Sequence, residues 1–166
     1  TSPDIKNQFL SNKIKTLDAI MYTHEHSDQT SGIFEMRPFF WKNKKKIPVY
    51  GSKRTMSILT NKYLFCFKPK FGYKPIMISK VVKNNFKIKI KNKILNVKAF
   101  HVNHGMIKAT GFLFQKIAYI SDCNKIPLSS LKNLNNLNFL IIDCLKIDKH
   151  PSHFNLEDAL NLVKII

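Results

Sequence analysis

Tyr22-Thr23-His24-Glu25-His26-Ser27-Asp28-Gln29 is the stretch on which the reading of this chain turns. It continues from Leu17-Asp18-Ala19-Ile20-Met21-Tyr22, a short, mostly apolar run with the pattern of a buried strand. In extended backbone, residues two apart point the same way. Alternation then lets His24, His26 and Asp28 project to one side at the strand's end. Two imidazole nitrogens and a carboxylate oxygen make a donor set for zinc, manganese or iron. The competing reading, a polar loop with two surface histidines, leaves the register of three ligand types unexplained.

Three more segments place chemistry after strand-like runs. His101-Val102-Asn103-His104-Gly105 offers a third imidazole from either histidine, and Gly105 permits a tight turn beside it. Ile117-Ala118-Tyr119-Ile120-Ser121-Asp122 is an apolar strand ending in a carboxylate, which can bridge two metals or cap a helix before Ile126-Pro127. His150-Pro151-Ser152-His153 precedes the last helical segment. Its backbone donors and imidazoles suit a phosphate, or it is a loop leading into a capped helix.

Around these motifs the pattern is mixed. Phe86 to Ile90 alternates with period two, Asn92-Lys93 can turn it into a second strand from Ile94 to Val102, and Thr110 to Phe114 and Ile117 to Ile120 follow around a turn at Gln115-Lys116. Phe139 to Ile142 reads as a buried strand. Ser52 can cap a helix over Lys53 to Leu64 with Met56, Leu59 and Tyr63 on one face. Asn155 can cap a final helix whose Leu156, Ala159, Leu160 and Val163 share a face, with Glu157 and Asp158 in its first turn. Strands with helices between and after them indicate a layered α/β (α+β) domain.

The 166 residues suit a single domain, 1–166, and 44% hydrophobic content is enough for a core, which excludes a disordered chain. No apolar run reaches the ~18 residues of a membrane span. Cys66, Cys123 and Cys144 form no CxxC pair, which argues against a disulfide framework and for a cytoplasmic protein. A start at Thr1 and an end inside Leu162-Val163-Lys164-Ile165-Ile166 read as a fragment. The net charge is +18, yet only Arg37 and Arg54 among 28 basic residues are arginine. Lys, Asn and Ile share A/T-rich codons, so compositional drift accounts for the charge better than a dedicated nucleic-acid surface, which leans on Arg. The lysines are expected to be spread over the surface, and Lys42 to Lys46 to form a solvated loop after Phe39-Phe40-Trp41.

These motifs together resemble a known family. Thr1-Ser2-Pro3-Asp4, Thr23-His24-Glu25-His26-Ser27-Asp28, Gly32-Ile33, Arg37-Pro38-Phe39-Phe40, Ile47-Pro48-Val49-Tyr50-Gly51, His104-Gly105, Gly111-Phe112, Tyr119-Ile120-Ser121-Asp122 and His150-Pro151-Ser152-His153 are similar in order and spacing to metallo-β-lactamase-fold hydrolases. The nearest branch is that of the phosphoribosyl cyclic phosphodiesterases of phosphonate utilisation; the tRNA 3′-end nucleases are more distant. The resemblance implies an αββα sandwich, truncated here at both ends, with one or two divalent ions, Zn or Mn. It implies that His24, His26 and His104 hold the first metal, that Asp122 bridges, and that Asp28 holds the second. His153 is similar to the family's phosphate-contacting histidine. Asp28 and His153 are the expected catalytic pair: Asp28 orients the metal-bound hydroxide or takes its proton, and His153 binds phosphate or protonates the leaving oxygen.

This chain departs from the family pattern at Gln29, where a histidine ligates the second metal, and it stops before the family's last histidine. A neutral amide is a poor ligand for zinc or manganese. The substrate expected is a small cyclic phosphodiester, with no membrane partner. The alternatives are an RNA-processing nuclease of the same fold, with nucleic acid as partner, and a catalytically impaired remnant or binding protein.

Overall fold

β1 (Ile20–Met21) is shorter than the apolar run Leu17 to Tyr22 suggests. Its only neighbour is β2 (Ile47–Gly51), in parallel register with Ile20 opposite Val49 and Met21 opposite Tyr50. Leu17 to Ala19 precede that pairing and so stay outside the strand. β3 (Met77–Val81) pairs β2 on its other side, again parallel, giving the order β1-β2-β3. Pro48 thus sits in a central strand, where its missing N–H is normally disruptive. Here the ladder tolerates it. Ile47 N–H bonds to Ile76 on the β3 side, so alternation aims the Pro48 nitrogen at the β1 side, where β1 has not yet begun.

The computed structural model describes residues 1–166, which form two compact units: Thr1–Val82 with Lys89–Asn92, and Lys83–Ile88 with Lys93–Ile166. The first contains the parallel sheet and the helices α1 (Ile5–Ser11), α2 (Ser27–Thr30), α3 (Arg37–Asn43), α4 (Lys53–Lys62) and α5 (Leu64–Phe67), with a 3-10 turn over Ser31–Met36. α1 and α3 have only seven residues each, too few turns to leave a clear apolar stripe in the sequence, although Phe39 joins the core and Ile5, Phe9 and Phe40 pack against it. Pro38 lies in the first turn of α3, where a helix has no use for its N–H.

α4 matches its expected start and face. Ser52 Oγ accepts from Thr55 N–H at 3.1 Å, while Met56, Leu59 and Tyr63 are buried with Val49 and Met77. The cap contributes about 1 kcal/mol. Each large buried side chain contributes roughly 1.5–3 kcal/mol. The same helix grips the residue between His24 and His26. Arg54 Nε donates to Glu25 Oε1 at 2.7 Å and Thr55 Oγ1 donates to Glu25 Oε2 at 3.1 Å. Burial opposes ionisation of Glu25, but the Arg54 guanidinium and the Thr55 hydroxyl outweigh it and hold the carboxyl below its ordinary range.

The second unit, apart from the last two residues of β4, carries a five-stranded sheet ordered β4-β5-β6-β7-β8: β4 (Asn85–Ile90), β5 (Lys93–His104), β6 (Ile107–Phe114), β7 (Ile117–Ile120) and β8 (Phe139–Ile142). β5, β6 and β7 run antiparallel in turn, and β8 joins β7 in parallel. Gln115, at the expected β6–β7 turn, takes a left-handed φ of 54°. β8 departs from the sequence reading. It is an edge strand, and Phe139 and Ile141 are 64% and 52% exposed. An apolar run alone does not say whether both faces of a strand are covered.

Two helices complete this unit, α6 (Leu128–Leu131) and α7 (Leu156–Ile165). Asn155 caps α7 as read, accepting from Asp158 N–H at 2.8 Å. The buried face, however, is Ala159 and Leu162, while Leu156, Leu160 and Val163 are exposed. Apolar residues lie on both sides of α7, so periodicity could not choose between them.

Two stability measurements check this account. In Gly32→Ala, an added Cβ would lie 2.1 Å from the Ser2 carbonyl oxygen, which is backbone and cannot swing aside. The variant should lose about 1–3 kcal/mol in a denaturant titration. For Glu25→Gln the sign follows from the lowered folded-state pKa. The carboxylate's contribution is full above its unfolded value of about 4.5 and fades as pH falls below that. The variant should melt below the parent at pH 7, and the gap should close near pH 3.

Candidate metal centre

Each unit presents its candidate ligands at the ends of strands. In the first, β1 gives way to an extended loop, and His26 keeps extended angles (φ −61°, ψ 153°) as the residue preceding α2. His24 is buried, with its Nδ1 3.0 Å from Thr23 Oγ1. The two rings sit edge to face with centroids 4.6 Å apart. This is the pair expected from alternation. The alternation does not reach Asp28, which lies in α2, so the carboxylate is delivered by a helical turn. Asp28 Oδ2 accepts from the Gln29 amide at 3.1 Å. Gln29, the residue at which the chain departs from the expected pattern, thus hydrogen-bonds its neighbour here.

In the second unit, β5 buries His104 and leaves His101 exposed, which settles which of the two can serve a buried site. His104 Nδ1 lies 2.7 Å from the Ser152 carbonyl oxygen. A carbonyl only accepts, so Nδ1 carries the proton and Nε2 presents its lone pair as a metal ligand does. That Nε2 is 3.9 Å from Asp122 Oδ2. The distance exceeds a hydrogen bond and falls within the roughly 3–4 Å that separates two donors each ~2.0–2.2 Å from one zinc. Gly105, with φ +56°, turns the chain out of β5, and its N–H donates to Asn124 Oδ1 at 3.0 Å. Asp122 does not cap a helix: α6 starts at Leu128 after Pro127.

His153 donates from Nδ1 to Asp143 Oδ2 at 2.7 Å, and its ring centroid lies 4.7 Å from that of His104. Asp122, Asp143 and His153 each bring a ligand atom within 4.8 Å of the others. Asp143 is 7% exposed and also accepts from Cys123 N–H at 2.9 Å. The sequence reading passed over Asp143. The signal was present, since Phe139 to Ile142 followed by Asp143 repeats the pattern of an apolar strand ending in a carboxylate that marked Asp122. His150 has its ring 5.2 Å from His153. The Ser152 N–H turns onto His150 Nδ1 at 3.4 Å, and Asp158 N–H is taken by the Asn155 cap, so two backbone donors near this loop are already engaged.

Imidazole nitrogens of fixed tautomer beside carboxylates fit a divalent ion such as zinc or manganese. A protein named octanoyltransferase from Porphyromonas gingivalis is 26% identical over 164 residues, covering 98% of this chain and 32% of that protein. A crystal structure of a diphosphatase from the PhnP family superposes with a TM-score of 0.85 at 28% identity, covering 99% of this chain and 62% of that one. Human tRNase Z, short form, superposes at 0.70 with 17% identity, covering 99% of this chain and 74% of that one, which is a likeness of fold alone. The chain therefore spans about a third of the first relative and under two thirds of the diphosphatase. A family model described as the beta-lactamase superfamily domain matches residues 1–166. The chain belongs to that beta-lactamase superfamily, and its mixed α/β fold is the metallo-β-lactamase one.

Proposed function

We propose that this protein is a metal-dependent phosphodiesterase acting on a small, cyclic phosphodiester. The observation that carries the reading is the Asp143–His153 pair beside His104 and Asp122: a proton donor held by a carboxylate, next to a donor set suited to a divalent cation. The likeness to a diphosphatase supports phosphate chemistry. In this reading His24, His26 and His104 would hold one divalent ion, and Asp122 and Asp28 would supply carboxylates to a second. Bound there, the ions supply Lewis acidity toward phosphoryl oxygen and a nucleophilic oxygen at neutral pH.

The chain's own groups do the remaining work. Asp28, oriented by the Gln29 amide, accepts a proton from the attacking oxygen. His153 hydrogen-bonds a phosphoryl oxygen through Nε2 or hands its proton to the leaving oxygen. Asp143 offsets the charge that the ring carries while both nitrogens are protonated. Surface lysines raise the local concentration of an anionic substrate.

Three measurements test this. Chelation should abolish hydrolysis of a chromogenic phosphodiester, and zinc or manganese should restore it; His104→Ala should not recover. Asp143→Asn should lower turnover on the order of 10²-fold while metal content by elemental analysis stays at the parent level. A variant that loses metal instead would make Asp143 a ligand. Gln29→His should raise occupancy of the second ion, since imidazole replaces an amide. Two tightly held ions and fast turnover in the unmodified chain would remove the special role given to Gln29, and metal binding without turnover would favour the impaired-remnant reading.

A further inference from the structure

The first unit carries a second chemically marked surface, whose cavity is lined by none of the residues assigned above. Residues 37–46 and 62–74 hold nine Lys or Arg and not one Asp or Glu. They meet around a cavity of about 250 Å³ lined by Phe34, Arg37, Trp41, Phe65, Tyr73 and Lys74. The rings on its rim are unusually open for aromatic side chains: Trp41 is 48% exposed, Phe65 43% and Tyr73 60%. Phe65 is stacked on Phe34, with centroids 4.7 Å apart and planes 19° from parallel, so its orientation is fixed from below. Ammonium groups lie over neighbouring rings, Lys44 at 5.7 Å from the Trp41 centroid and Lys70 at 5.1 Å from the Phe71 centroid.

A drift toward A/T-rich codons accounts for how many lysines the chain has. It does not account for open rings and cations gathered on one rim. The cavity is smaller than the ~300–1,000 Å³ pockets that enclose whole ligands. It suits one planar ring inserted from outside. Beyond it, α3 leads directly into a second groove of about 500 Å³, lined by Lys45, Lys46, Lys89 and Lys91 with Asp18 as its single carboxylate. A ligand that spans both must be flat and apolar at one point and anionic along its length. An acidic peptide meets the second condition and meets the first only if it carries an aromatic residue at that point, whereas every nucleotide carries a base.

We infer that this face binds single-stranded nucleic acid, with a base stacked among Trp41, Phe65 and Tyr73 and the backbone phosphates following α3 onto the lysines. Stacking on an aromatic face is tolerant of sequence, because every base has a π-face, and cationic grooves follow the backbone. All the residues involved lie in the first unit, and no turnover is required, so this inference goes beyond the phosphodiesterase reading and does not stand or fall with it.

Trp41 is the only tryptophan, so its fluorescence reports on this site alone. The test is titration of the intact chain at about 0.15 M salt with twelve-residue oligo(U) and oligo(dT), alongside an abasic oligomer and polyphosphate of matching charge. Saturable quenching by either base-bearing oligomer, with little from the abasic one or polyphosphate, is the expected result; the tighter of the two identifies RNA or DNA as the source. Tyr73→Ala should weaken binding on the order of tenfold. Should that variant misfold by circular dichroism, Tyr73→Leu keeps the volume and removes the π-face, with the same expectation. Lys45→Glu with Lys46→Glu should flatten the salt slope by roughly 0.7 for each phosphate that these lysines no longer neutralise. Absence of binding, equal binding of polyphosphate, or binding that leaves Trp41 fluorescence and the Tyr73 variants unaffected would each overturn the inference.

Discussion

One buried carboxylate oxygen, Asp143 Oδ2, holds the chemistry of the second unit together. It accepts from the Cys123 amide at 2.9 Å and from His153 Nδ1 at 2.7 Å. A carboxylate taken out of water must find such donors or lose its charge. Satisfying it ties three stretches to one point: the loop after β7, which carries Asp122; the end of β8; and the loop before α7, which carries His153. The last of these also accepts from His104 through the Ser152 carbonyl. A buried histidine at the end of β5 is therefore oriented by a loop 48 residues further on.

The first unit solves a similar problem with different means. Glu25 lies between two histidines and is nearly buried, so it needs partners, and α4 supplies them through Arg54 and Thr55. Strands in parallel pairs also bring the candidate site residues to their carboxyl ends, where the chain leaves the ladder and its geometry is free to vary. β1 delivers His24 in this way, as β7 delivers Asp122 and β8 delivers Asp143. The rule is the one that governs open α/β sheets generally.

Much of this was legible in the residues. β4 to β7, the Ser52 and Asn155 caps, and the side-by-side placement of His24 and His26 followed from period and capping chemistry, which act within a few residues. What could not be read depends on distant partners. Whether β8 is covered, which side of α7 faces inward, and that Asp28 rides on a helical turn are settled by tertiary packing. Pro48 would have counted against a central strand on local grounds, and only the staggered start of β1 makes it harmless. Asp143 was missed for another reason: its strand-then-carboxylate pattern was visible, but its importance lies in two hydrogen bonds that no local pattern announces.

The three cysteines differ sharply in their surroundings. Cys66 and Cys123 are buried, and burial pushes the Cys66 thiol up to about 11 and the Cys123 thiol higher still, where Asp143 and Asp122 add to the effect. Neither offers a thiolate at neutral pH. Cys144 is exposed and follows Asp143 directly in the chain. Of the three thiols only one is therefore addressable in the folded chain, and it adjoins the carboxylate that organises the second unit. A spin label or fluorophore attached there would report on the local motion of that hydrogen-bonded junction without any engineered cysteine.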